Sequence, residues 1–493
     1  MNMRTLLNRM PWPQRAGHDV RVALVTTGML VVLGACNLLD VTNPDIVSTS
    51  SLNTVGALPT IRAGALGDFD LAYGGSGAQG STGSEGQIMV SGTLTDEIEN
   101  TETFPDRVHA DARSVDNTSG TYQTVFNNLS RARASAENAA AKFQALLSPT
   151  DLQGNSGLSE MLSLAGFTYV MFAENYCSGV PFSGFDANAN KVIYGQPLTT
   201  AQMLDTALDR FTQALAAANN LTNAGSKTQF SSLANLGIAR ANLDLGNFAT
   251  ASTAVAAVAT SFVYQTSYDL NTTRQNNGVF TSTANYKRYG MTDKKGGVGL
   301  PWMSSPDPRT PIYRATSATT GKPVFGFDGT TPQFNQLRYV DQKASIPLAS
   351  GLEARLIEAE AALKIGDSTT FLAKLNGLRA APPAYILAGD PTNLSTPPLA
   401  LSNTALAPLA APAGSAAAIA LLFSERGRWL WLTGHRLSDL RREVRQYGLA
   451  VNAVFPNGAY FKQGLTYGND VNFPVPFAET NNPNFTACLD RNP

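Results

Sequence analysis

Between residues 52 and 73 apolar side chains return every three or four positions until Gly74-Gly75 breaks the run, which predicts an amphipathic helix. A Gly/Ser-rich loop follows to about Gln87. The same period predicts a helix over 120–147, with Tyr122, Val125, Leu129, Ala132 and Ala136 on one side and Ser148-Pro149 beyond its end. Another covers 158–176 and is stopped by Gly179 and Pro181. Residues 199–219 and 231–245 read as a helix pair, and the second runs through Leu245-Gly246-Asn247-Phe248-Ala249-Thr250-Ala251 into a third helix ending near Thr260. Leu-Gly-x-aromatic-x-x-Ala is a tetratricopeptide-like junction, in which Gly permits the turn and Ala lets helices approach. A weaker echo surrounds Ile365-Gly366-Asp367. Such repeats bury their faces only against neighbours, so about four helix pairs are expected.

The helical period fades over 261–345, where Gly, Pro, Asn, Thr and aromatic residues dominate. That is too long for a simple loop in a compact domain, and it predicts an irregular, partly β insertion packed on the helical body. Helices resume over 348–364, 369–379, 416–433 and 437–447. A Pro- and Ala-rich excursion occupies 380–415, and nothing helical follows Gly448. The expected fold is mainly α: a tetratricopeptide-like helical repeat body spanning 52–493, with long irregular, partly β insertions.

The N-terminus carries different information. Residues 1–21 hold Arg4, Arg9, Arg15 and Arg21 against Asp19, and an apolar run from Val22 to Leu33 follows, broken by Thr26, Thr27 and Gly28. Basic segment, short apolar core and small residues predict a secretory signal over 1–35, too short to stay as a membrane span. Its ending, Leu33-Gly34-Ala35-Cys36, resembles a bacterial lipobox, which would make Cys36 the lipidation site and anchor the chain in a membrane. A secreted protein with a fortuitous cysteine is the alternative. Residues 36–51, polar and holding Pro44, read as a tether. Loss of residues 1–35 removes four basic and one acidic side chain from 36 and 37, leaving 32 against 36. A mildly acidic chain argues against nucleic acid as partner. With Cys36 acylated, Cys177 and Cys488 remain as an even pair in an oxidising compartment. Either they form a disulfide that pins the C-terminal tail to an early helix, or they are two separate buried thiols.

The run Glu425-Arg426-Gly427-Arg428-Trp429-Leu430-Trp431-Leu432-Thr433-Gly434-His435-Arg436-Leu437-Ser438-Asp439-Leu440-Arg441-Arg442 is the strongest of several segments that, in order, resemble the SusD/RagB family, whose run reads E-R-x-R-E-L-x-x-E-G-x-R-x-x-D-L-R-R. It departs at Trp429-Leu430 and Thr433-Gly434, where the family has Glu-Leu and Glu-Gly. Arg355-Leu356 with Ala359-Glu360-Ala361 looks like the family's R-L-x-x-A-E-A helix, and Phe473-Pro474-Val475-Pro476, Glu479 and Asn482-Pro483 resemble its closing segment. Leu94-Thr95-Asp96-Glu97, Tyr122 and Arg131-Ala132-Arg133 also fit. The resemblance implies a lipid-anchored outer-membrane protein, facing the cell surface, that binds an oligosaccharide or sometimes a peptide. It implies a SusC-like TonB-dependent transporter as partner, with no catalysis and no cofactor.

The chemistry legible in the residues agrees with binding. Of the histidines, His18, His109 and His435, none has partners at metal-ligand or nucleophile spacing. Gly296-Gly297-Val298-Gly299 lacks the Lys-Ser/Thr of a phosphate loop. Glu425/Arg428, Arg436/Asp439 and Asp439/Arg442 are three apart, the spacing of surface or half-buried helical ion pairs, with Gly434 as the break between two helices. Trp429 and Trp431 point to different helix faces, so at most one is expected in the core. Sugar recognition needs aromatic faces plus polar groups for hydroxyls. The insertion supplies Tyr286, Tyr289, Trp302, Tyr313, Phe325, Phe327 and Tyr339, with Asn285, Asp307, Arg309 and Asp328 among them. Trp302 is the first candidate ligand contact, with Tyr289, Tyr286, Phe325 and the loop-adjacent Tyr73 and Phe69 beside it. For each, the alternative is a ring that merely packs the insertion onto the body. Asp307-Pro308-Arg309 reads as a structural turn. Two other functions compete: a lipoprotein scaffold for protein assembly that binds no ligand, and an extracellular hydrolase.

Overall fold

The computed structural model describes residues 52–78, 85–186, 191–384 and 405–493. The signal at 1–35, Cys36, the tether to 51 and most of the 380–415 excursion lie outside these residues. Twelve helices organise the rest: α1 (Leu58–Gly74), α2 (Gln87–Thr93), α3 (Pro105–Asp111), α4 (Gly120–Leu146), α5 (Gly157–Asn175), α6 (Thr200–Asn219), α7 (Ala224–Asp244), α8 (Phe248–Val255), α9 (Gly351–Lys364), α10 (Ser368–Ala380), α11 (Ser415–Trp429) and α12 (Arg436–Tyr447). Residues Thr54–Pro493 form one unit.

Local chemistry explains the helix starts. Ser119 caps α4 by accepting from the Tyr122 N–H, and Thr199 and Gln202 close a reciprocal capping box on α6. α4 buries Tyr122, Val125, Leu129, Ala132 and Ala136 along one stripe, as its period predicts. α5 is apolar nearly all round and is buried accordingly. The turns α7–α8 and α9–α10 each need a left-handed residue, supplied by Gly246 at φ 80° and Gly366 at φ 77°.

Successive helices stack side by side: α1 on α4, then α4 on α5, α5 on α6, α6 on α7, α7 on α8, α8 on α9 and α9 on α10. The stack closes tightly around Phe211 of α6. A Cβ at Gly166 of α5 or Gly237 of α7 would lie 2.7 Å or 2.1 Å from that ring, so two glycines make room for one phenylalanine.

Between α8 and α9 the chain leaves the stack and returns to it. Strand β6 (Val263–Thr266) pairs antiparallel with β10 (Ile346–Ser350), Ile346 opposite Thr266 and Ala349 opposite Tyr264, with a bulge between Pro347 and Ala349. The expected helix from 348 therefore starts at Gly351, because the preceding residues complete a ladder. Within the insertion β7 (Tyr289–Gly290) pairs with β1 (Glu99–Asn100), and β8 (Ile312–Arg314) with β9 (Phe334–Gln336). Two further pairs follow α5: β2 (Val180–Pro181) with β5 (Pro197–Leu198), and β3 (Gly184–Asp186) with β4 (Lys191–Ile193).

Cys177 and Cys488 are joined by a disulfide, Cα to Cα 5.9 Å, across 311 residues of sequence. Beside it the Leu489 N–H donates to Ser178 O at 2.8 Å, and the Cys177 N–H to Phe473 O at 2.9 Å. The tail is thus strapped to the end of α5.

The charges of the α11–α12 segment are not at the surface, which corrects the expectation of exposed or half-buried pairs. Asp439 accepts from Arg426 at 2.8 Å and Arg442 at 2.7 Å, and Arg442 also reaches Glu360 of α9. Glu425 joins Arg309 at 2.7 Å and Arg379 at 2.8 Å, while Arg436 meets Asp96 at 2.7 Å. Burial drives the Asp439 carboxyl upward, but Arg426 and Arg442 outweigh it and hold it well below the carboxylate range. The ion pairs connect α9, α11, α12 and the insertion, so they must lie where those elements meet. Asp307-Pro308-Arg309 is part of this joint: Arg309 binds Asp307 at 2.7 Å and stacks 4.7 Å from the Trp429 ring.

Trp429 and Trp431 are both buried. The expectation that only one enters the core assumed a continuous helix, but α11 ends at Trp429, and Leu432 turns left-handed at φ 54°. The two rings no longer obey helical spacing.

Candidate functional site

Four of the predicted ligand contacts are core residues. Trp302 is 1% exposed, donates from Nε1 to Asp96 O at 2.9 Å and stacks on Trp431 with centroids 6.4 Å apart. Tyr73 is buried with its hydroxyl 2.8 Å from both Pro347 O and Thr433 O, and its neighbour Phe69 is buried too. Tyr289 is buried and donates to Glu85 Oε1 at 3.2 Å. Each ring fastens the insertion to the helical body, the alternative weighed for it. Tyr286 is half-buried and donates to Gly77 O, and Phe325 is 46% exposed beside the Arg314 guanidinium.

The open aromatic rings share a cleft with Glu85, the partner of Tyr289. Phe104 is 46% and Phe327 64% exposed, and both line a cleft of about 890 Å³ with Glu85, Glu102, Arg107, Thr121, Thr124 and Arg288. Phe104 sits before Pro105, which keeps its backbone extended at the start of α3. Arg107, one turn into α3, lays its guanidinium 5.3 Å from that ring. On the opposite side Arg288 lies 5.7 Å from the Phe327 ring and 5.3 Å from the Tyr286 ring.

The floor between the rings is charged and held. Arg107 binds Glu85 and, at 3.0 Å, Glu102, whose other oxygen is 3.7 Å from Arg288. Burial raises the Glu102 carboxyl, opposed by Arg107 and Arg288. The Phe327 loop is fixed from below. A Cβ at Gly326 would lie 2.5 Å from Thr101 O, so only glycine lets the loop approach the backbone just after β1 so closely. Lys462 donates to Asn100 O and Glu102 O, each at 2.7 Å, and reaches Asp328 Oδ2 at 3.4 Å.

A second groove, about 710 Å³, continues along α4, lined by Thr124, Asn127, Asn128, Arg131, Arg274 and Tyr286 among others. A depression of about 860 Å³ at the tail, with His109, Asp116, Phe477 and Arg491, offers one exposed ring and no paired aromatic walls. The first cleft is the better candidate because two exposed rings there line one cleft with immobilised polar groups, the two kinds of surface a sugar ring requires. Among the described residues no group of three His, Cys, Asp or Glu is placed to hold a metal, and no helix is long and apolar enough to cross a membrane.

Phe104 was missed by sequence reasoning because it lies outside the aromatic-rich insertion, although a phenylalanine directly before a helix-starting proline is the signal that marks it. Phe327 was among the insertion's rings but not singled out.

This architecture, a helical stack with an irregular insertion closed by a two-stranded ladder, is the SusD-like fold. A SusD-like carbohydrate-binding protein from Bacteroides fragilis superposes with a TM-score of 0.59 at 13% identity, over 88% of this chain and 99% of that one. A SusD/RagB family protein from Bacteroides thetaiotaomicron gives 0.59 at 12% identity, over 86% and 94%. A SusD superfamily protein from Bacteroides vulgatus gives 0.57 at 16%, over 89% and 99%. No family model matches the sequence, and no curated protein does.

Proposed function

We propose that this protein is a non-catalytic binding protein that captures oligosaccharide in the Phe104–Phe327 cleft. The observation that carries the reading is the pair of exposed rings, Phe104 and Phe327, held on either side of the Glu85–Arg107–Glu102–Arg288 floor. Rings cover the apolar faces of pyranoses, and the floor's carboxylates and guanidinia meet hydroxyls. Glycoside hydrolysis needs one carboxyl free to give a proton and one free to attack or activate water. Glu102 is instead engaged by two arginines, which favours binding over turnover. The likeness to a carbohydrate-binding protein of the same fold supports the same reading.

The cellular setting we propose rests on the sequence. The Leu33-Gly34-Ala35-Cys36 ending supports lipid attachment at Cys36 in the outer membrane, facing the cell surface. The ordered motif resemblance supports delivery to a SusC-like TonB-dependent transporter, with a peptide as the alternative cargo. A scaffold without ligand leaves the paired exposed rings unexplained.

Calorimetric titration with a panel of oligosaccharides tests the central claim. One or more should bind, be recovered uncleaved, and bind about three- to tenfold more weakly to Phe104→Ala or Phe327→Ala, the effect of losing one ring contact. Unchanged affinity in both variants, or hydrolysis of the ligand, overturns it. Crosslinking followed by co-purification of a TonB-dependent barrel tests the partner, and loss of acyl labelling in Cys36→Ser tests the anchor.

A further inference from the structure

The cleft and the groove beside it share both walls. Thr124 of α4 belongs to each, and Arg288, which lines the cleft, lies over the ring of Tyr286, which lines the groove. Together they form a trough along α4 from Gly120 to Arg131, about 16 Å at the helical rise per residue. That length suits a chain of linked sugar rings better than a single one.

The two ends of the trough differ in charge. At the aromatic end every arginine faces a carboxylate: Arg107 has Glu85 and Glu102, and Arg288 has Glu102. At the other end the one ion pair among the described residues is Arg274 with Asp68, at 2.6 Å. Arg131 is exposed, donates to Asn128 Oδ1 and forms no ion pair among the described residues. Its neighbour Asn128 is 3% exposed, and its Nδ2 has no hydrogen-bond partner. An unpartnered buried amide donor is rare, because leaving it unmade costs about 1–3 kcal/mol. Here that donor and an unneutralised guanidinium belong to residues three apart on α4 that both line the one groove.

We propose that the trough takes an acidic oligosaccharide, whose rings lie over Phe104 and Phe327 and whose carboxylate or sulfate is received by Arg131 and Asn128. The inference rests on the reading of the trough as a glycan site and adds the class of glycan. Guanidinium binds such planar or multi-oxygen anions through paired, charge-assisted hydrogen bonds.

The test uses the intact protein and oligosaccharides of matched length in three forms: uronate-containing, sulfated, and the same chains after carboxyl reduction or desulfation. An acidic form should bind about tenfold or more tightly than its neutral counterpart, with an affinity that falls as salt is raised. Arg131→Gln, an exposed substitution, should abolish that preference, so that the acidic chain binds no more tightly than its neutral counterpart. Phe327→Ala should weaken both forms alike. The uronate and sulfate arms identify the anion. Equal binding of acidic and neutral chains, or a preference that survives Arg131→Gln, overturns the acidic assignment and leaves the glycan site standing. Binding of no chain in the panel, or binding indifferent to Phe327→Ala, overturns both.

Discussion

Glu97 accepts a hydrogen bond through Oε1 from the backbone N–H of Leu432 at 2.8 Å, and Leu432 is the left-handed residue where the chain turns out of α11. Its other oxygen, Oε2, has no partner, in a side chain that is almost wholly buried. Burial pushes the carboxyl up to about 8, more than the Leu432 N–H and Arg436 pull it down. A proton on Oε2 relieves the uncompensated charge while Oε1 keeps its contact.

The sign of the resulting pH dependence follows. An unfolded glutamate titrates near about 4.3. Below that value both states hold the proton and the contribution to stability is complete. As pH rises towards about 8 the unfolded chain loses the proton first, so stability falls, and above about 8 the slope ends. Glu97→Gln should gain on the parent steadily from pH 5 to pH 8 in urea unfolding. A parallel offset at both pH values would refute this.

Asp439 behaves in the opposite sense. Its folded value is depressed, so its contribution is present above about 3.9 and is lost as pH falls through the folded value. Asp439→Asn leaves Arg426 and Arg442 buried with one fewer carboxylate, and should cost about 3–5 kcal/mol in denaturant titration at neutral pH. A loss below about 1 kcal/mol would match a surface pair instead.

Trp302→Ala separates packing from recognition. Its ring fills the space between Trp431 and Arg436, so the variant should lose about 3–5 kcal/mol of stability. Glycan affinity of the folded fraction should stay within about twofold, well inside the threefold or greater loss expected from Phe327→Ala. A stable variant with no affinity would return Trp302 to the site.

Peptide mapping without reductant should recover Cys177 and Cys488 in one linked fragment. Replacing both by alanine should lower stability by about 2–5 kcal/mol, since the bridge restrains a very long loop of the unfolded chain. Two free thiols in the map would exclude the bridge.

The helical stack was legible in the sequence because period and breakers carry it: the stripe from Tyr122 to Ala136 and the turn at Gly246 lie where expected. The site was not. Aromatic content singles out Trp302, Tyr289 and Phe327 alike, but whether a ring is buried depends on which strand lies beneath it. Tyr289 faces inward because β7 pairs with β1, and Phe327 is lifted outward because Gly326 rests on Thr101. Those contacts join residues about 190 and 225 positions apart, which no local pattern records. The α11–α12 charges misled for a related reason: three-residue spacing fits a solvated face as well as a buried joint, and only the partners Glu360, Arg309 and Asp96 decide between them.

The β6–β10 ladder places the two ends of the insertion on adjacent strands, a separation of about 5 Å. A segment with both ends so close behaves as a cassette. It contributes Phe327, Arg288 and Tyr286 to one wall of the trough, while α3 and α4 of the main body supply the other. On the proposed reading, the cassette's wall of the trough can be rewritten while the eight stacked helices keep their register.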